Sequence, residues 1–443
     1  MALKKAALHK RSAAFSYVAK YYQNACLSWC LTRLNHQFAM EPIMYRPLAA
    51  FVASLLISTL PPTSVAAATS EADANPFTIE VVADLHEPWA MAFLPDGQLL
   101  ITEKKGSLQL LNPDDGSMRS VAGMPNVDYG GQGGLGDVAL HPQFAQNNLV
   151  YLSYVEAGTG NTRGAAVARG TLDTTGRRPV LSNVEVIWRQ YPKVLGRGHY
   201  GHRLTFDAEG LLWVTSGDRQ KFTPAQDMQT NLGKVLRLTD DGKPVSGNPF
   251  MNWLQQEPLV DDEAVYDEIW SLGHRNPLGF AFDLQGNPWV IEMGPAGGDE
   301  LNKVQRGANY GYPVVSDGNH YDGRPIPNHS TRPDFEAPAI SWTPVISPGD
   351  LTVLKGTAFT EWRGQALVAG LSSEAIVRIA LSGGSDRDAA KDGGKHTAKE
   401  VARYPMGARI RSVREGPDGS LWVLEDERRS STGRLLRLTP REP

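Results

Sequence analysis

Cysteine is nearly missing from this chain of 443 residues: only Cys26 and Cys30 occur, both close to its start. Once the leader described below is removed, no disulfide, thiol nucleophile or cysteine-ligated metal is left to consider. An excess of positive charge is missing as well. Lysine and arginine total 44 against 48 acidic residues, a net charge of −4, so no basic surface recommends a nucleic-acid partner. The apolar run Leu48 to Leu60 has about 13 residues, where a membrane span needs about 20. The patterns G-x-S-x-G, P-loop and H-E-x-x-H do not occur, which removes three common catalytic signatures.

Glycine and proline are plentiful instead, at 44 and 30 residues. So much punctuation between short apolar runs predicts strands and turns, not helices. The first 75 residues differ from the rest. Met44-Tyr45-Arg46, the apolar run and the small-residue exit Pro61 to Ala68 are the parts of a secretory signal peptide over about 40–68. A polar linker, Ser70 to Pro76, follows. An anchoring helix is the competing reading, but no cysteine at the exit supports a lipid anchor. The expected destination is therefore secretion across the inner membrane to the periplasm, with no stable insertion of the mature chain. Residues 1–39 do not fit the front of such a signal, so Met40 or Met44 is the expected initiator, which N-terminal sequencing of the precursor tests.

From 76 to 443 a single domain is expected, because one pattern recurs throughout. Pro95-Asp96-Gly97-Gln98-Leu99-Leu100-Ile101-Thr102 resembles Ala208 to Thr215, Leu284 to Ile291 and Pro417 to Leu424. Looser copies are Asn147 to Tyr154 and Arg363 to Gly370. Each is a turn followed by a strand, and several are completed by a second strand such as Val235-Leu236-Arg237-Leu238 or Leu435-Leu436-Arg437-Leu438. Six units spaced by roughly 50 to 80 residues predict an all-β, six-bladed β-propeller. Loops from distant segments then gather at one mouth of the central channel.

Several motifs are placed to share that mouth. Gly131-Gln132-Gly133-Gly134-Leu135-Gly136 matches the dinucleotide fingerprint in letters only, since no strand precedes it and no helix follows. His199 precedes a strand and Asp218 follows it; a carboxylate on one imidazole nitrogen leaves the other as a base. The same two residues also suit turns that need polar caps. Gly273-His274-Arg275-Asn276-Pro277 and the stretch Glu292 to Glu300 bring a cation, an amide, carbonyls and carboxylates together. These two loops are expected to hold a cofactor and a metal ion, although a strand-end turn and a surface hairpin would read alike. Arg409-Ile410-Arg411 turns two guanidiniums to one face, which suits a polycarboxylate ligand or a solvated edge strand.

Taken together, the chain resembles the soluble pyrroloquinoline quinone (PQQ)-dependent sugar dehydrogenases, the glucose/sorbosone dehydrogenase family, and within it the aldose sugar dehydrogenase branch. The likeness runs from about Glu87 to Leu438 and rests on the motifs above. It rests also on His199-Tyr200-Gly201-x-Arg203, Asn231 to Arg237 and Gly307 to Pro313. The resemblance implies a six-bladed propeller with PQQ over the channel mouth and Ca²⁺ joining it to the protein. By the same likeness His199 is the catalytic base, Asp218 its orienting partner, and Arg275 with Asn276 the pair at the reactive quinone carbonyl. Gln132, Tyr321, Arg409 and Arg411 are implied cofactor contacts. Gly294 and Pro295 would offer carbonyls to the cofactor's calcium, while Glu300 and the Tyr310 carbonyl would form a second calcium site. The implied reaction is oxidation of an aldose sugar at C1 to a lactone. Hydride passes to the quinone and electrons go on to an external acceptor, from a monomer or homodimer.

Two departures stand out. Ser372 occupies the place of a family lysine on the cofactor, and His202 stands where a small residue is usual, beside the implied base. The expectation at His202 is a narrowed pocket or an altered acceptor. A non-catalytic binding propeller and a calcium-dependent lactonase remain the alternatives, since fold alone does not separate them.

Overall fold

The computed structural model describes residues 75–251, 265–381, 398–429 and 431–441. The expected signal peptide lies outside them. Among the described residues no helix is long and apolar enough to cross a membrane.

Each recurring turn-strand unit is the second strand of a four-stranded antiparallel sheet. The six second strands are Leu99–Glu103, Leu149–Ala157, Leu212–Ser216, Pro288–Glu292, Ala366–Gly370 and Leu421–Glu425. A glycine in the left-handed region makes the turn before five of them: Gly97, Gly210, Gly286, Gly364 and Gly419, with φ between +79° and +87°. Only glycine adopts that conformation without steric cost. In the second sheet Asn148 takes the position at φ 52°, which is why that copy of the repeat reads loosely. Aspartates brace the same turns. Asp207 accepts from the backbone N–H of Glu209 and Leu211, and Asp283 does so from Gln285 and Asn287.

Six such sheets form a ring, the predicted six-bladed propeller. The innermost strands are Pro88–Phe93, Leu135–Leu140, Gly201–Phe206, Pro277–Phe282, Pro348–Val353 and Ile410–Glu415. Each packs against its neighbours around the channel. The ring is closed by the first described strand, Phe77–Asp84, which pairs antiparallel with Arg434–Pro440 and supplies the outer strand of blade 6. Nothing in the repeat pattern foretells this closure.

Strand alternation glues the blades together. Leu212 and Val214 point into an apolar cluster shared with blade 2, while Trp213 between them points into the cluster shared with blade 4. Among the described residues six clusters of this kind occur, one at each blade interface. Because both faces of each inner sheet are buried, these strands read as continuous apolar runs, each large side chain contributing about 1.5–3 kcal/mol.

Every innermost strand carries a register shift against its second strand near its start. A bulge there re-aims side chains, and all six bulges lie at the same end of the ring. Residues that precede an innermost strand or follow a second strand share that end. This topology gathers His199, Asp218, Gln132, Arg275, Asn276, Gly294, Pro295, Arg409 and Arg411.

Candidate active site

Blade 3 supplies the residue expected to be the base. His199 is 5 % exposed, sits at φ 49°, and its Nδ1 lies 2.7 Å from Asp218 Oδ1. Its backbone is fixed from both sides: the N–H donates to Gln132 Oε1 at 2.8 Å, and the carbonyl accepts from Arg219 N at 3.1 Å. Asp218 is fully buried and accepts further from the backbone N–H of Gln220 and Phe222. Burial holds the His199 imidazole below its ordinary value; Asp218 pulls upward, and Arg275 and Arg219 add to the lowering. At neutral pH the imidazole is therefore uncharged. With Nδ1–H donated to the carboxylate, Nε2 keeps its lone pair.

The glycine-rich stretch beside it has a packing reason. A Cβ on Gly133 would lie 2.7 Å from the Tyr200 ring, and one on Gly136 would lie 1.9 Å from His202 Cε1. These glycines let blade 2 approach the histidine loop; they cradle no dinucleotide.

In blade 4, Arg275 is 5 % exposed, and its backbone N–H donates to Glu292 Oε2 at 2.6 Å. Glu292 also takes His274 Nδ1 at 2.8 Å, and His274 stacks on Tyr310 at 4.8 Å between centroids. The guanidinium donates from Nη1 to the carbonyls of Met293 and Gly294 at 2.9 and 2.6 Å, and from Nη2 to the Tyr321 hydroxyl at 3.4 Å. Its Nε is buried without a hydrogen-bond partner. Asn276 is buried and accepts at Oδ1 from Gly201 N at 3.3 Å. The carbonyl of Arg275 takes Asp218 N–H at 2.8 Å, which ties this loop to the histidine pair. Tyr321 is 77 % exposed on the rim.

Arg409 and Arg411 of blade 6 do face one way, and a carboxylate missed in the sequence explains how. Arg409 Nε donates to Asp426 Oδ2 at 2.8 Å and Arg411 Nη2 to Asp426 Oδ1 at 2.7 Å. Burial would raise the Asp426 carboxyl, but the two guanidiniums outweigh it and hold it well below the usual range. Lys104, unnoticed in the sequence, joins them: its Nζ reaches the Gly131 carbonyl at 3.3 Å, and its charge acts on Arg411 and Asp426. Asp426 follows the second strand of blade 6 much as Asp218 follows that of blade 3, and this shared position was the available signal. Ser372 follows Leu371, whose carbonyl accepts from Arg409 Nη1 at 3.3 Å, and donates to the Val345 carbonyl at 3.2 Å.

Asp299 is a structural acceptor, taking Gly294 N at 2.9 Å and Ser347 N at 2.7 Å. Burial raises its carboxyl to about 6. Glu300 is buried too, and its neighbour is a histidine. His329 Nδ1 lies 4.0 Å from Glu300 Oε1 and 3.5 Å from Asp317 Oδ1, while His329 Nε2 is 3.1 Å from the Tyr310 carbonyl. Among the described residues no cluster of three His, Cys, Asp or Glu side chains is placed to hold a metal ion. Calcium here would depend on main-chain carbonyls.

His202 corrects an expectation. It does not narrow a pocket: it is 2 % exposed, stacked on Trp89 at 5.0 Å and bonded to Ser153 Oγ at 2.8 Å. The bulge turns it between the blades, away from its neighbour in sequence, His199. Beside the base, Phe222 is 46 % exposed at φ 64°, ψ −82°, and Thr223 N bonds Lys221 O at 2.9 Å across it. That is a γ-turn of the rare, strained hand, and no sequence signal marks it.

The comparisons agree with this architecture. The model of the glucose/sorbosone dehydrogenase family matches residues 85–437. The aldose sugar dehydrogenase YliI of Escherichia coli (strain K12) is 36% identical over 368 residues, 82% of this chain and 93% of its own. The crystal structure of the soluble aldose sugar dehydrogenase of Escherichia coli in its apo-form superposes with a TM-score of 0.72 at 34% identity, covering 82% of this chain and 100% of that one. The PQQ-bound form of the aldose sugar dehydrogenase of Streptomyces coelicolor does so with a TM-score of 0.63 at 25% identity, covering 82% and 98%.

Proposed function

The chain belongs to the glucose/sorbosone dehydrogenase family, and on that footing we propose that it oxidises aldose sugars at C1 to lactones with bound PQQ and calcium. The observation that carries this reading is the neutral, oriented His199–Asp218 pair at 2.7 Å. Nε2 of His199 takes the proton of the C1 hydroxyl, and Asp218 stabilises the imidazolium that forms. When bound, PQQ supplies the quinone that accepts the hydride leaving C1. Binding of PQQ by a relative, the Streptomyces coelicolor enzyme, supports that choice.

The residues present fit such a group. Arg275 has a buried Nε without a partner, a donor suited to an anionic oxygen. Arg409 and Arg411 share only one carboxylate, Asp426, so a cationic surplus remains for a carboxylate-bearing cofactor; Lys104 stands beside them but is paired with Glu87 at 3.6 Å. Gly294 and Pro295 would give carbonyl oxygens to calcium, the ligand type that ion prefers. An ion at Gly294 competes with Arg275 Nη1 for the same oxygen. Glu300 and the Tyr310 carbonyl would hold a second calcium only if His329 yields its place. Electrons leave to an external acceptor, in the periplasm, from a monomer or homodimer.

The test is direct. Purified mature protein is incubated with PQQ and Ca²⁺, and dye reduction is followed with a panel of aldoses. Sugar-dependent reduction that requires PQQ is the expected result. Absence of reduction with every sugar, together with no spectral change on adding PQQ, would overturn the reading.

A further inference from the structure

The segment that presents His199, Gly196 to Tyr200, contains no regular element, yet its histidine is held in a left-handed conformation that few non-glycine residues adopt. Something outside the segment must fix it. One buried side chain touches it at every turn. Arg219 is 1 % exposed and donates from Nε to the Gly198 carbonyl at 2.9 Å, from Nη2 to the Gly196 carbonyl at 2.7 Å, and from Nη1 to the Arg163 carbonyl of blade 2 at 2.7 Å. The Tyr200 ring lies under its guanidinium at 3.8 Å. Its own backbone N–H holds the His199 carbonyl at 3.1 Å.

No carboxylate neutralises the guanidinium through any of these bonds; every acceptor is a main-chain oxygen. Burying a charge this way is costly; the four backbone and ring contacts and the nearby Asp218 offset part of that cost. Burial lowers Arg219 to about 10, so it remains charged at neutral pH. The charged groups that face His199 are Asp218, Arg275 and Arg219, and of these Asp218 alone favours the imidazolium.

We propose that Arg219 is a positioning residue for the base: its planar fork clamps the loop that presents His199, and its charge adds to that of Arg275 in disfavouring the imidazolium. The assignment rests on the reading of His199 as base. A lysine at this position keeps the charge but cannot span three carbonyls, so the two roles separate by substitution.

The experiment compares Arg219→Lys and Arg219→Gln with the wild type, all loaded with PQQ and Ca²⁺. Turnover of an aldose is followed from pH 4.5 to 8, and NMR titration of labelled histidine follows His199 without any need for activity. Both variants should lose about tenfold or more in kcat with KM little changed, because the base and not the sugar site is loosened. Only Arg219→Gln should move the acid limb of the rate profile and the His199 titration upward. Arg219→Gln with wild-type kcat and an unmoved titration would overturn the proposal, as would an equal shift in both variants. If Arg219→Gln does not fold, the proposal stands or falls on Arg219→Lys: kcat reduced with the titration in place supports it, and an unreduced kcat overturns it. A wild type without sugar turnover, but with the NMR shift in Arg219→Gln, would sink the dehydrogenase reading and leave the electrostatic role intact.

Discussion

The end of the channel where the innermost strands begin is bulged and polar, carrying His199, Arg275, Arg409 and Arg411. The other end is regular in register and of mixed polarity. There Phe93, Leu140, Phe206, Phe282 and Val353 line a funnel of about 540 Å³ together with Asp207, Lys355, Arg414 and Glu415. Between the two ends stands Arg203, 1 % exposed, which stacks on Trp89 at 3.9 Å and pairs with Asp137 at 3.3 Å and Asp350 at 3.6 Å. It also donates to the carbonyls of Leu278 and Gly349, each at 2.5 Å. One guanidinium thus touches blades 1, 2, 4 and 5 from blade 3. The same six strands carry the candidate site at one end and regular pairing at the other, because the bulges at one end free side chains from strict alternation.

That contrast can be broken in measurable ways. At the polar end, His199→Ala should lower kcat of the PQQ-loaded enzyme about 10³-fold, the scale of a lost general base; full activity in this variant would refute the base assignment. In the middle, Arg203→Met should cost about 3–5 kcal/mol of stability, since it strips a buried cation from two buried carboxylates. Denaturant melts of the mature chain would show this as a shifted midpoint. A smaller effect should appear in the pH profile. The folded His199 value lies below the ordinary 6.5, so the imidazole is neutral at pH 7, and with His199 as the proposed base the rate should stay level through pH 7. It should then fall about tenfold per unit only below the usual histidine range. A limb centred above 7 would contradict the burial argument. The smallest change is expected at the funnel end: Phe282→Leu should leave turnover within about twofold, and cost under about 1.5 kcal/mol. A large loss of turnover there would erase the distinction between the two ends.

Much of the site is legible in the sequence because topology does the gathering. Once the repeat identifies second strands, every residue just after one or just before the next blade falls at the same end. That logic finds His199, Asp218, Arg275 and the Arg409–Arg411 pair. It misses Asp426 and Lys104, which obey the same rule but carry no motif of their own. His202 escapes it because it lies within the bulge of its innermost strand, between Gly201 and Leu204, and packs between the blades. Glu300 meets His329, a residue with no nearby signal in sequence, from the insertion between the last two strands of blade 4.

The sequence by itself determined the repeat, the number of blades and the turn chemistry, since a left-handed glycine and a period of two are local properties of the chain. Closure of the ring by Phe77–Asp84 against Arg434–Pro440, the carboxylate between the two arginines, and the loop clamped by Arg219 were decided only in the tertiary structure. Those contacts join residues far apart in the chain, and their energies exist only once the blades have closed and water has left the space between them.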